Sequence, residues 1–230
     1  MQPVKFQSRI DAGQKIAERL TGLKLDLFGE SGSQDIVVLA VPRGGIIIGD
    51  IVASGLAARL DVVVSRKIGA PNNPELAIGA VMPDRSYFLN KEIVDMLNVS
   101  QDYIDIQANA QIKEIDRRLL SYRGSKEYNN AYQDKIIVLV DDGIATGATI
   151  LASANWLKNK QRCRKLLLAV PVTPRSMLKN LNQVADDVIA LYTPEDFMAV
   201  GAFYQNFAQI GDDEVKGIMK RHGIMSDCMR

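Results

Sequence analysis

The sequence predicts an α/β fold organised around a doubly wound, mostly parallel sheet. Apolar runs rich in Val, Ile and Leu, each too short for a helix, occur at residues 36–41, 136–140, 165–170 and 188–192, as expected for strands buried on both faces. Between them lie segments with helical spacing of apolar residues. Strand and helix therefore alternate from residue 36 to residue 192, the pattern that builds a parallel sheet covered on both sides.

Each element has its own local signal. Phe6, Ile10, Ile16, Ala17 and Leu20 recur at roughly helical spacing and predict an amphipathic opening helix. Residues 21–34, containing Gly and Ser, read as a connector. The strand at 36–41 ends in Pro42-Arg43-Gly44-Gly45 and leads into a helix over about residues 46–60, with the next strand at 61–65. Residues 66–75 start basic and run into turn formers, predicting a flexible loop. Short strands are expected at 76–82 and 86–89, around Pro83-Asp84. Ser100 suits the N-cap of a long helix to about residue 122, with Tyr103, Gln107, Ala110, Glu114 and Leu119 on one partly polar face. A polar connector, 123–134, precedes the strand at 136–140, and the helix after it carries Ile150, Leu151, Ala154 and Leu157. Pro174 opens a further helix to about residue 184; beyond the last strand come Phe197, Phe203, Tyr204 and Phe207, then a helix from Asp213.

With 230 residues, 28 Lys and Arg against 27 Asp and Glu, and a formal charge of +1, the chain is expected to be one domain with a sizeable core. That balance gives no bulk attraction to nucleic acid or to a membrane surface. The N-terminus lacks the apolar stretch of a signal peptide, and no run approaches the length of a membrane span, so a cytoplasmic protein is expected. Cys163 and Cys228 have neither metal spacing nor a disulfide framework and read as inert thiols. His222, the only histidine, stands near the terminus and is not expected to be catalytic; Trp156 is expected in the core.

The chemistry concentrates between residues 138 and 150. Asp141 and Asp142 follow directly on a buried strand, at the sheet edge that faces the ligand crevice in open α/β folds. Ala145, Thr146, Gly147, Ala148 and Thr149 then open a helix. Such a turn presents free amides, a positive dipole end and hydroxyl donors to a phosphate dianion. Two carboxylates beside a phosphate cradle need a polar partner of their own, which ribose hydroxyls with Mg²⁺ nearby would satisfy. The residues therefore point to a sugar phosphate. At another strand exit, Arg43, Gly44 and Gly45 offer a forked cation and amides able to approach an anion. Arg66 and Lys67 leave a third strand end.

Asp-Asp-x-x-Ala-Thr-Gly-x-Thr after an apolar strand resembles the phosphoribosyl-pyrophosphate (PRPP) signature of type I phosphoribosyltransferases. Leu-Ala-Val-Pro-Arg-Gly-Gly, Ser-Arg-Lys-Ile-Gly-Ala-Pro-Asn-Asn-Pro-Glu and Asp-Phe-Met-Ala-Val-Gly-Ala-Phe-Tyr extend the resemblance, to a bacterial group of predicted phosphoribosyltransferases, over about residues 6–215. It implies a core at about 35–192 and a small hood from about 1–34 and 193–230. It also implies a pyrophosphate loop at Arg43, Gly44 and Gly45, often with a cis peptide, and Arg66 and Lys67 on the pyrophosphate beneath a lid to which Asn72, Asn73 and Glu75 could belong. Asp141 and Asp142 would hold the ribose and help hold Mg²⁺, most of whose shell would come from substrate and water. The hood would hold the acceptor, commonly a nucleobase; packing of Phe197, Phe203 and Tyr204 is the favoured reading over stacking on that base. Ala145 stands where enzymes acting on 6-oxopurines commonly carry an acid, while adenine-type members also have Ala. The implied activity is Mg²⁺-dependent transfer of phosphoribose from PRPP to a nitrogen acceptor with release of pyrophosphate. The rival is a regulatory protein that binds PRPP or nucleotides on the same fold without turnover, and a homodimer is compatible with either. A receiver domain is disfavoured by the absence of an acid pair near the first strand, and a nucleoside-triphosphatase by the absence of Gly-x-x-x-x-Gly-Lys-Ser/Thr.

Overall fold

The computed structural model describes residues 5–224, so the expectation for Cys228 lies outside the described residues. Ser8 caps helix α1 (Arg9–Gly22) by accepting from the Asp11 amide, and a short α2 (Lys24–Phe28) occupies part of the expected connector. Phe6 is not part of α1. It forms an isolated parallel bridge with Tyr204, and Ile10 faces solvent rather than the core. Strand β1 (Ile36–Ala40) runs into α3 (Gly45–Leu56) and then β2 (Arg59–Val62). Next come β3 (Arg66–Ala70), β4 (Asn73–Val81) and β5 (Tyr87–Leu89), α4 (Lys91–Met96) and the long α5 (Gln101–Arg123), capped by Ser100 as expected. The chain closes with β6 (Ile136–Val140), α6 (Ala148–Asn159), β7 (Lys165–Val172), α7 (Leu178–Val184), β8 (Asp187–Tyr192) and α8 (Asp212–Arg221).

The main sheet has five parallel strands in the order β2-β1-β6-β7-β8. Every residue of β1 and β6 is buried, which is why both read as continuous apolar runs rather than alternating ones. From β1 the chain crosses to one side, to β2; from β6 it crosses to the other, to β7. Right-handed crossovers then place α3 and α6 on opposite faces. Between β1 and β6 the direction of winding reverses, and the carboxyl ends of those two strands border the crevice where such sheets bind ligands.

The expected loop at 66–75 is instead a hairpin. β3 and β4 pair antiparallel, β4 pairs with β5, and the three form a second sheet. Ile68, Ala70, Ile78, Ala80 and Val81 are buried, so apolar packing overrides the turn-forming composition. The buried face of α5 is Ile104, Ala108, Ile115, Leu119 and Tyr122, beside the partly polar face read from the sequence. Of the latter only Leu119 is buried, while Tyr103 donates to the Gly69 carbonyl of the hairpin at 3.1 Å. Trp156 is fully buried, edge-on to Tyr128 and Tyr132. Burial raises the Cys163 thiol to about 11, which leaves it protonated and unreactive at neutral pH. His222 pairs with Asp50 at 2.7 Å and ties α8 to α3. Among the described residues no helix is long and apolar enough to cross a membrane.

Asp61, only 2% exposed, is the most buried acid in the main sheet's edge strand. Its carboxylate receives Arg123 at 2.8 Å, Arg59 and Tyr132 at 3.0 Å, and the Val62 amide at 2.8 Å. Asp61→Ala would strand a largely enclosed Arg123 and is expected to cost about 3 kcal/mol in urea unfolding. A loss below roughly 1 kcal/mol, the range of an exposed pair, would show that the cluster does not hold β2 to the connector after α5.

Candidate active site

The turn after β1 and the end of β6 are packed into each other. A Cβ added to Gly45 would lie 2.9 Å from Asp141 Cα and 3.0 Å from its Oδ1; one on Gly44 would meet the Asp142 carboxylate and come within 3.0 Å of Arg9 Nε. The glycine pair is thus required first by this close approach. It also leaves the amides of Arg43 and Gly44 without a partner among the described residues, which keeps them available to an anion. The Pro42-Arg43 peptide is cis. The Arg43 guanidinium points toward Asp212 at the start of α8, 3.6 Å away.

The two carboxylates are not equivalent. Asp141 Oδ1 accepts the Asp142 amide at 2.8 Å. Burial, then the neighbouring Asp142 charge, pushes the Asp141 carboxyl well above the usual range. Asp142 is also raised by burial, but Arg9 opposes the shift. Arg9 Nε donates to Asp142 Oδ2 at 2.7 Å, Arg9 Nη1 donates to the Ala208 carbonyl at 2.7 Å, and its guanidinium lies 3.7 Å from the Phe207 ring centroid. Tyr204 donates its hydroxyl to the Asp142 carbonyl at 2.6 Å. Arg9 joins this site without any sequence motif that marks it. One signal was available: a cation in the first turn of a helix opposes the dipole there and calls for another partner.

The turn between β6 and α6 has the character expected of it. Ala145 and Thr146 are exposed, Gly147 takes a left-handed φ of 74°, and no side chain caps α6. The first amides of α6, at Ala148 and Thr149, therefore face outward unpaired, as an anion site requires. An apolar groove of about 420 Å³ adjoins this turn at Thr146 and Ala148, with Leu76, Phe88, Leu89 and Leu151 in its walls.

Arg66 and Lys67 do not act as a joint pair. As successive strand residues they point to opposite faces. Arg66 Nε donates to Gln111 Oε1 on α5 at 3.0 Å, while Lys67 pairs with Glu75 across the hairpin at 2.8 Å. Phe203 stacks on Phe197 at 5.4 Å and meets Tyr192 edge-on, so these aromatics pack the segment after β8, the favoured reading.

Residues 7–202 match the family model described as "Phosphoribosyl transferase domain". Two Mycobacterium tuberculosis proteins, from strains CDC 1551 / Oshkosh and H37Rv, both named "Putative phosphoribosyl transferase", are 38% identical over 216 residues, 94% of this chain. That stretch is 46% of their length, so the chain spans about half the length of the curated relatives it matches. Among solved structures, TT1426 from Thermus thermophilus is 36% identical with a TM-score of 0.77, over 95% of this chain and 99% of that one.

Gly44→Ala is expected to destabilise by about 3 kcal/mol through overpacking against Asp142 and Arg9. Gly217→Ala, inside α8 with open space around it, is expected to stabilise by up to about 1 kcal/mol. Equal melting temperatures for the two variants would refute the close-approach argument. For Asp141 the raised folded pKa sets the sign: its stabilising contribution is full below the ordinary value of about 3.9 and is lost as pH rises through the folded value. Asp141→Asn should therefore melt above the wild type at pH 7 to 8 and converge with it below about pH 4. A variant that melts lower throughout would contradict this.

Proposed function

The chain belongs to the phosphoribosyl transferase family, and from that premise we propose that it transfers the phosphoribosyl group of PRPP to a nucleobase nitrogen, releasing pyrophosphate in a Mg²⁺-dependent reaction. The observation that carries the reading is the packing of Gly44 and Gly45 against Asp142 and Asp141 at the switch point, with the uncapped start of α6 immediately after. One pentose with a phosphate at one end and a pyrophosphate at the other matches that spread of groups.

In this reading the turn at Ala145, Thr146, Gly147, Ala148 and Thr149 receives the 5′-phosphate. Asp141 accepts from the ribose hydroxyls, and the two carboxylates offset positive charge that builds on the ribose ring in the transition state. The amides of Arg43 and Gly44 and the Arg43 guanidinium, with Arg66, take the pyrophosphate, while Gly45, whose amide donates to the Val41 carbonyl at 3.1 Å, permits the close approach. Lys67, on the opposite face of β3 and paired with Glu75, has no part in this contact. As the acceptor nitrogen bonds to C1 of the ribose, the bond from C1 to the pyrophosphate oxygen breaks. Its electron pair leaves with pyrophosphate, and the acceptor nitrogen gives up its proton to water. The protein contributes chiefly position and electrostatics. Among the described residues no cluster of three or more His, Cys, Asp or Glu forms a metal cage. The carboxylates of Asp141 and Asp142 suit Mg²⁺ that takes most of its ligands from water and phosphates. When bound, the ion neutralises charge on the departing group.

Incubation with PRPP, Mg²⁺ and a panel of nucleobases should release pyrophosphate with at least one base. Asp141→Asn is expected to slow that release roughly a hundredfold, about 3 kcal/mol; an unchanged rate would remove Asp141 from the mechanism. Heat on titrating PRPP without turnover on any base would favour the non-catalytic alternative, and no heat at all would overturn PRPP as the ligand.

A further inference from the structure

Arg43, Arg117 and Arg118 share two carboxylates, Glu114 on α5 and Asp212 at the start of α8, and Arg66 bonds to Gln111 of the same α5. Glu114 accepts from Arg117 at 2.8 and 2.9 Å and from Arg118 at 2.6 Å. Asp212 accepts from Arg117 at 3.1 Å and from Tyr122 at 2.7 Å, and lies 3.6 Å from Arg43. Four guanidinium groups against these two acids leave two positive charges uncompensated within the cluster.

The excess is focused at one place. Gln111, Glu114 and Arg118 are spaced by three and four residues and therefore line one face of α5. Arg66 bonds to the first of them, so its guanidinium lies on the same face as Arg118. Burial and then the nearby Arg118 charge depress the Arg66 pKa, as two like charges held together should. Among the described residues Arg66 and Arg118 each make one side-chain hydrogen bond, although a guanidinium has five donors. Arg118 is only 16% exposed. Two partly buried cations with spare donors on one face of α5 form a receptor for an anion with several oxygens.

We propose that Arg118 completes the pyrophosphate site together with Arg66, held in place by Glu114, while the Arg117–Asp212 link keeps Arg43 on the same side. The inference rests on the reading of this sheet edge as a PRPP site and adds to it a wall from α5, outside every motif of the PRPP signature. It makes recognition of the pyrophosphate separable from recognition of the ribose phosphate, which lies at the start of α6.

Isothermal titration calorimetry with inorganic pyrophosphate and Mg²⁺, and separately with ribose 5-phosphate, tests it on the full chain. Arg118→Gln should weaken pyrophosphate ten- to hundredfold, the loss expected for a charged hydrogen bond, with ribose 5-phosphate changed by no more than about twofold. Arg118→Lys should recover part of the loss, since it restores the charge without the fork. Pyrophosphate affinity unchanged in Arg118→Gln would overturn the proposal, as would equal weakening of both ligands, which marks a general structural effect. Binding of neither ligand by the wild type would overturn the PRPP reading and this inference with it. Ribose 5-phosphate binding alone would overturn the inference while leaving the phosphate loop intact.

Discussion

The Arg9 guanidinium connects both ends of the chain to the carboxyl edge of the sheet. It donates to Asp142 at the end of β6 and to Ala208 after β8, and lies over Phe207. Such a buried pair contributes little net stability, because desolvation of both ions offsets their attraction, but it is specific: no neighbouring register of α1 would satisfy the same acid. The Phe6–Tyr204 bridge and the Tyr204 hydroxyl on the Asp142 carbonyl lie beside it. The segments that flank the core are thereby fixed on the acid pair itself.

From that pair follows the tension at the site. Two adjacent acids leave a buried strand, and one cation answers them. Asp142 has Arg9, whereas Asp141 carries the cost of burial and of its neighbour's charge. A folded chain has no structural need for such an arrangement, and perturbed acids in a crevice are more often found where a ligand completes the set. The glycines opposite belong to the same constraint. Any side chain at Gly44 would occupy the space where the Arg9–Asp142 pair lies.

A second set of groups approaches from outside the parallel sheet. The β3–β4–β5 sheet packs beside α5, so Arg66 leaves the exit of β2 and meets α5 at Gln111. The helix that covers the hairpin thus also carries the polar side chain that Arg66 meets. Asp61 at the edge strand anchors the far end of the same helix through Arg123. Packing and electrostatics are in this way coupled along a single element.

The sequence by itself determined the strand–helix alternation, the capped start of α5 and the position of the carboxylates and of the glycine turn before α6. Those features are written in periodicity, propensity and contiguous residues, and contiguous residues stay together in any fold. Only the tertiary structure decided what each charged group meets. Arg9 and Asp142 are 133 positions apart, so nothing local relates them. Arg66 and Lys67 are neighbours in sequence yet part company, because a strand turns successive side chains to opposite faces, and residues 66–75 became strands once buried neighbours rewarded pairing over the turn preference of their composition.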